Sequence, residues 1–162
     1  MSEKRNTVTK SSKETAKAIN SLKCVIPAKS VNESLARTVI SAFATQLDPT
    51  VSELADLKTA VSEAVTNSIV HGYKDKNCEK ESLIYLSAYY RSDKTVVVEI
   101  KDKGCGIPNV RQAMEAMYTT APGDERSGMG FTVMASFCDK IKVSSAVGKG
   151  TTVILEKRFS ST

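Results

Sequence analysis

The chain has 162 residues, 41% of them hydrophobic, which is enough for one domain with a sizeable core and too few for two comfortable ones. Its formal charge of +5 is concentrated at the start: residues 1–23 carry six Lys/Arg against two Asp/Glu, and the remainder holds 17 basic against 16 acidic side chains. The folded part is therefore expected to lack the basic bias that phosphate-backbone binding favours, which excludes nucleic acid as an expected partner. No apolar run approaches the roughly 18 residues of a membrane span, and the polar start lacks the apolar stretch of a secretory signal, so no membrane association and a cytoplasmic location are expected.

Residues 1–22 are rich in Ser, Thr and Lys and poor in large apolar side chains, a composition that cannot offset the entropy of ordering. They are expected to form a flexible basic tail, with a weak amphipathic helical pattern from Glu14 to Leu22. The domain is expected to span residues 23–159 and to open with a short strand near Cys24 to Ala28. Ser30 to Glu33 offers helix-cap residues, and Leu35, Val39, Ala42, Phe43 and Leu47 recur at helical spacing until Asp48-Pro49. A second helix is predicted from about Thr50 to Val70, with Leu54, Leu57, Val61, Val65 and Ile69 toward the core.

Ser82 to Tyr90 and Thr95 to Lys101 read as strands joined by a turn. A glycine-bearing loop follows, then a short helix near Asn109 to Met117, and then Tyr118 to Ser127, read as a lid from Pro122-Gly123 and its lack of periodicity. A third helix is expected over Phe131 to Cys138, and a final hairpin over Lys140 to Ala146 and Thr151 to Arg158. Strands paired mostly through hairpins, with helices gathered at a few points, predict an α+β fold: a two-layer sandwich with a mixed, mostly antiparallel sheet covered by helices on one face. The four cysteines, Cys24, Cys78, Cys105 and Cys138, form no C-x-x-C pair and His71 is the single histidine, so neither a zinc site nor a disulfide framework is expected.

Three stretches carry chemistry. Glu63 and Asn67 are four residues apart on the second helix and share a face, presenting oxygen donors suited to magnesium or to a proton, although the same pair also suits a solvated helix face. Asp102 ends a strand and is followed by Gly104 and Gly106, which let the backbone turn and approach a flat ligand; an ionised carboxylate accepts only, so it can select adenine through its exocyclic amine, although the same residues also suit an ordinary strand-to-loop turn. Ser127, Gly128, Met129 and Gly130 precede a helix whose amide groups are a ready anion site, and Arg126 beside them can supply a guanidinium to a terminal phosphate.

In this order the stretches resemble the GHKL ATPase and kinase superfamily, with an N box at Glu63 to Asn67 and glycine boxes at Asp102 to Gly106 and Gly128 to Gly130. Within it the chain is most similar to the anti-sigma factor kinases of sporulation. The resemblance covers roughly residues 23–158 and rests on Asn32 to Arg37, Gln46 to Thr50, Ser62 to Asn67, His71-Gly72-Tyr73, Glu125 to Phe131 and Lys149 to Val153. It implies a Bergerat-type ATP-binding fold, a homodimer, bound ATP or ADP with Mg2+, silencing of a sigma factor of the sigma F type, and phosphorylation of a serine on an anti-anti-sigma partner.

Carried onto this chain, the resemblance makes Glu63 the general base and Asn67 the magnesium ligand. Asp102 becomes the adenine contact with Thr151 helping on that side, Arg126 touches the γ-phosphate, and Arg37 contacts the sigma factor and its rival. The chain departs from the family pattern in the lid, where Ala121 stands before Pro122 in place of a basic residue. Two other readings stand beside the leading one: a stress-response anti-sigma kinase, and a nucleotide-gated sequestering module with little transfer activity.

Overall fold

The computed structural model describes residues 17–74, 81–115 and 130–160. The expected tail and lid, with Arg126, Ser127, Gly128 and Met129, fall outside the described residues, except for the stretch from Lys17 onward. Five strands form one sheet in the order β1-β2-β3-β5-β4: β1 Ala18–Pro27, β2 Leu83–Arg91, β3 Thr95–Asp102, β4 Lys140–Ala146 and β5 Gly150–Arg158. All four pairings among the described residues are antiparallel, in line with the mostly antiparallel sheet expected.

The first strand starts at Ala18, earlier than the expected boundary at residue 23. Residues 18–22, read as tail with a helical tendency, extend along β2 from Ala18 opposite Arg91 to Leu22 opposite Ala88. A weak local pattern yields here to cross-strand pairing.

Helix α1 (Val31–Ala44) continues into a 3₁₀ turn, Thr45–Leu47, and α2 spans Val51–Asn67. Ser30 sits at the start of α1 without a side-chain cap bond, whereas Thr50 and Glu53 form a reciprocal capping box at the start of α2. Leu57, Ala60, Val61, Ala64 and Val65 recur every three or four residues and bury one stripe of α2. With Ala36, Ile40 and Phe43 of α1 and Met134 of α4 (Gly130–Phe137), they pack on Ile84, Leu86, Val96, Val98, Ile100, Val153 and Leu155. Each large apolar side chain buried in this layer contributes roughly 1.5–3 kcal/mol. The helices thus cover one sheet face and aim the last turns of α2 at the strand end carrying Asp102.

The second helix stops earlier than Val70. After Asn67 the chain widens into a π-type turn, Ser68–Gly72, which brings both Ser68 and Gly72 up to Asp102. The helix expected from Asn109 is a single turn, α3 (Val110–Ala113), with the Asn109 side chain accepting from the Gln112 amide.

Candidate functional site

A cavity of about 210 Å³ opens between the end of α2, the loop after β3 and the β5 strand. Asn67, Asp102, Gly106, Gly130 and Thr151, all picked out from the sequence, lie in its wall, together with the unpredicted Ser68.

Asp102 forms the floor and is 3% exposed. Its Oδ2 accepts from the Ser68 hydroxyl at 2.9 Å, while Oδ1 accepts from the Gly104 amide at 3.0 Å and the Thr151 amide at 3.2 Å. Burial raises the Asp102 pKa, opposed by these donors, which favour the charged form. Four acceptor positions less three donors leave one lone pair on Oδ2 for a ligand.

Gly104 and Gly106 each serve a close contact within the protein, and Gly106 also lies in the cavity wall. A Cβ on Gly104 would lie 1.9 Å from the Gly72 carbonyl oxygen, so this glycine lets two protein backbones meet, with the Cys105 amide donating to that carbonyl at 2.7 Å. Gly106 has φ +74°, and a Cβ there would come within 2.1 Å of the Ala146 carbonyl oxygen. The loop is latched to the β4–β5 hairpin by Gly148 N–H donating to Cys105 O and Ile107 N–H donating to Ser145 Oγ, each at 2.8 Å. Tyr73 ties its other side, accepting from the Lys103 amide at 2.8 Å and donating to the Leu83 carbonyl.

At the opposite end, Glu63 and Asn67 meet the first residue of α4. A Cβ on Gly130 would lie 3.2 Å from Glu63 Oε2 and 3.3 Å from the Asn67 amide atoms, so both side chains stand at that helix start. The structure therefore brings Asn67, Asp102, Gly130 and Thr151 around one cavity, with Glu63 beside Gly130 but outside the lining. Arg37 is elsewhere, on α1, 3.5 Å from Glu33 and 44% exposed. Ser68, Ser145 and Tyr73 were missed by sequence reasoning; Tyr73 lay in a noted motif, but the two serines carry no local signal because their partners are 34 and up to 38 residues away.

No group of three or more His, Cys, Asp or Glu side chains suited to a metal occurs among the described residues, and none of the described helices is long and apolar enough to cross a membrane. A single amide oxygen at Asn67 fits a magnesium ion that takes most of its ligands from phosphates and water. The open lone pair of Asp102 fits a base bearing an amine.

The family described as a histidine kinase-like ATPase domain matches residues 26–157. An anti-sigma F factor of Clostridium acetobutylicum is 49% identical over 141 residues, covering 87% of this chain and 95% of the relative. One from Priestia megaterium is 46% identical over 142 residues, covering 88% and 95%. Among solved structures, the RsbU and RsbW domains of Rv1364c from Mycobacterium tuberculosis align with a TM-score of 0.64 at 19% identity, over 88% of this chain and 33% of that one. The histidine kinase domain of the Erythrobacter litoralis EL346 blue-light activated kinase aligns with a TM-score of 0.53 at 17% identity, over 83% and 62%. At these identities the two structures share the fold.

Proposed function

Because this chain belongs to the histidine kinase-like ATPases, and within them to the anti-sigma F factors, we propose that it is a cytoplasmic serine kinase that silences a sporulation sigma factor of the sigma F type and phosphorylates an anti-anti-sigma partner. The observation that carries the reading is the pairing of Glu63 with Asn67 at the start of α4, at the far end of a cavity whose floor is the Asp102 carboxylate.

In this reading the last lone pair of Asp102 receives an adenine amine hydrogen, and Thr151 lies beside it. Asn67 supplies one oxygen to Mg2+, and Gly130, continuing from Ser127, Gly128 and Met129, begins the helix that holds phosphate. Magnesium and ATP supply the transferable phosphoryl group and neutralise the charge that develops on it. Glu63, half-buried on a rigid helix, takes the proton from the partner's serine hydroxyl, and Arg126 stabilises the terminal phosphate.

Arg37 contacts the sigma factor and its rival from the outward side of α1, where Val31 and Leu35 are also exposed. The chain works as a homodimer, for which the β1 edge, with Ile19 and Val25 exposed, offers surface. The test is intact-mass analysis of the anti-anti-sigma protein of the same genome after incubation with this chain and magnesium ATP. Gain of one phosphoryl group with the parent chain and not with Glu63→Gln supports the kinase and its base together. No gain, with nucleotide and sigma factor still bound, favours the sequestering module instead.

A further inference from the structure

Along β5 the residues on the helix-facing side are Val153, Leu155 and then Lys157, which stands opposite Val96 and, though charged, is only 9% exposed. Its Nζ donates to the Phe137 carbonyl oxygen at 2.7 Å and to Asp56 Oδ2 at 3.2 Å. Phe137 is the last residue of α4, so its carbonyl is among those left without a partner inside the helix, and Asp56 belongs to α2. Asp56, Glu63 and Asn67 are seven and then four residues apart, which puts them on one edge of α2. Gly130 at the start of α4 lies against Glu63 and Asn67, while Phe137 at its end is tied through Lys157 to Asp56. The helix therefore runs back along that edge of α2 and is held to it at both ends.

A helix as short as α4 is marginal on its own, and Met134 is its one buried residue, so its placement depends on what holds its ends. A lysine is not needed to fill the core there. Burying an ion pair costs desolvation on both sides, and apolar side chains of like volume commonly serve stability as well or better. What an apolar side chain lacks is direction: only a donor fixes the Phe137 carbonyl at hydrogen-bond distance, and with it the axial position of a helix about 12 Å long. We propose that Lys157 is a positioning residue for the phosphate end of the cavity: by pinning the last carbonyl of α4 to Asp56 it sets where α4 lies along α2, and so where Gly130 stands relative to Glu63 and Asn67. The inference rests on the nucleotide reading above and adds to it a residue outside the cavity lining.

The test compares ADP with Mg2+ against adenosine, which reaches the Asp102 end but carries no phosphate. Both are measured by calorimetry on the full chain, adenosine through its competition with ADP, and thermal melts check folding. The variants are Asp56→Asn and the double change Lys157→Met with Asp56→Asn, which leaves no unpaired charge behind. The double variant stays folded and keeps the parent's adenosine affinity, but binds ADP more weakly by roughly tenfold or more, the range of one hydrogen bond to a charged group. Asp56→Asn alone, which keeps an oxygen for the amine, retains the parent's ratio of ADP to adenosine affinity. Equal weakening of both ligands in the double variant, or loss of its fold, would mean that Lys157 only supports the core and would overturn the inference. An unchanged ratio in the double variant would overturn it too, as would an Asp56→Asn ratio matching that of the double variant. A parent chain binding ADP no better than adenosine overturns this inference alone; one binding neither overturns the nucleotide reading itself.

Discussion

Each end of α2 lies near a carboxylate held by hydrogen bonds, Glu53 in its first turn and Asp102 of β3 beyond its last, yet the two groups are pushed in opposite directions. At the N-terminal end, Glu53 accepts from the Thr50 amide at 2.8 Å and from the Ser160 amide at 2.6 Å, and these donors, Thr50 first, hold its pKa down to about 2. Beyond the C-terminal end, Asp102 accepts from Ser68, Gly104 and Thr151, yet burial outweighs them and its pKa rises. Donors decide where water still solvates the charge; desolvation decides where it does not. One end thus stores stability, and the other keeps a carboxylate under tension beside a cavity.

The comparison predicts a clean division of effects. The largest is at the cavity end: Glu63→Gln should slow phosphoryl transfer by about 10²- to 10⁴-fold while leaving nucleotide affinity and melting temperature unchanged, checked by single-turnover kinetics beside a thermal melt. A large loss of stability would show that Glu63 supports the fold instead. Next, Asp102→Asn exchanges one acceptor oxygen for an amide group beside two backbone donors. It should weaken ADP binding by roughly tenfold or more and cost about 1–3 kcal/mol of stability, measured by calorimetry and urea unfolding.

At the N-terminal end, Thr50→Ala removes the cap and should cost about 0.5–2 kcal/mol with transfer rate unchanged. A matching fall in rate would break the division between the two ends. The smallest effect is in pH. Because the folded pKa of Glu53 lies below its unfolded value of 4.5, its contribution is fully present above that value and is lost as pH falls toward about 2. Asp102 works with the opposite sign, its raised pKa making the folded state less favourable as pH rises through the carboxylate range. Urea midpoints measured from pH 5 to pH 2.5 should therefore fall less steeply for Glu53→Gln than for the parent; parallel curves would rule out Glu53 as the source.

Most of the helical layer was legible because burying a stripe of α2 requires Leu57, Val61 and Val65 at helical spacing. The strands were legible from their alternation and turns, and Asp102 from its place between a strand and two glycines. The start of β1 was not, because Ala18 to Leu22 have little strand character of their own and extend only against β2. Nor was the π turn at Ser68 to Gly72, since α-helical spacing continues past Asn67 and the widening is seen only in what the turn reaches, the Asp102 carboxylate. Gly104 shows the limit of motif reading: its missing side chain admits Gly72, a neighbour about thirty residues earlier in the chain, and no sequence pattern distinguishes that use from contact with a ligand.

The strand order gives the cavity a place in the folding sequence as well. β2–β3 and β4–β5 are local hairpins, but β3 and β5 meet across about fifty residues of intervening chain, and the bond from the Thr151 amide to Asp102 bridges that junction. Closing so long a loop carries an entropic cost that local hairpins avoid, so the junction belongs to the slower, non-local part of assembly. A molecule seated on both Asp102 and Thr151 would staple the two hairpins together, making occupancy of the cavity a brake on the separation of the sheet into halves.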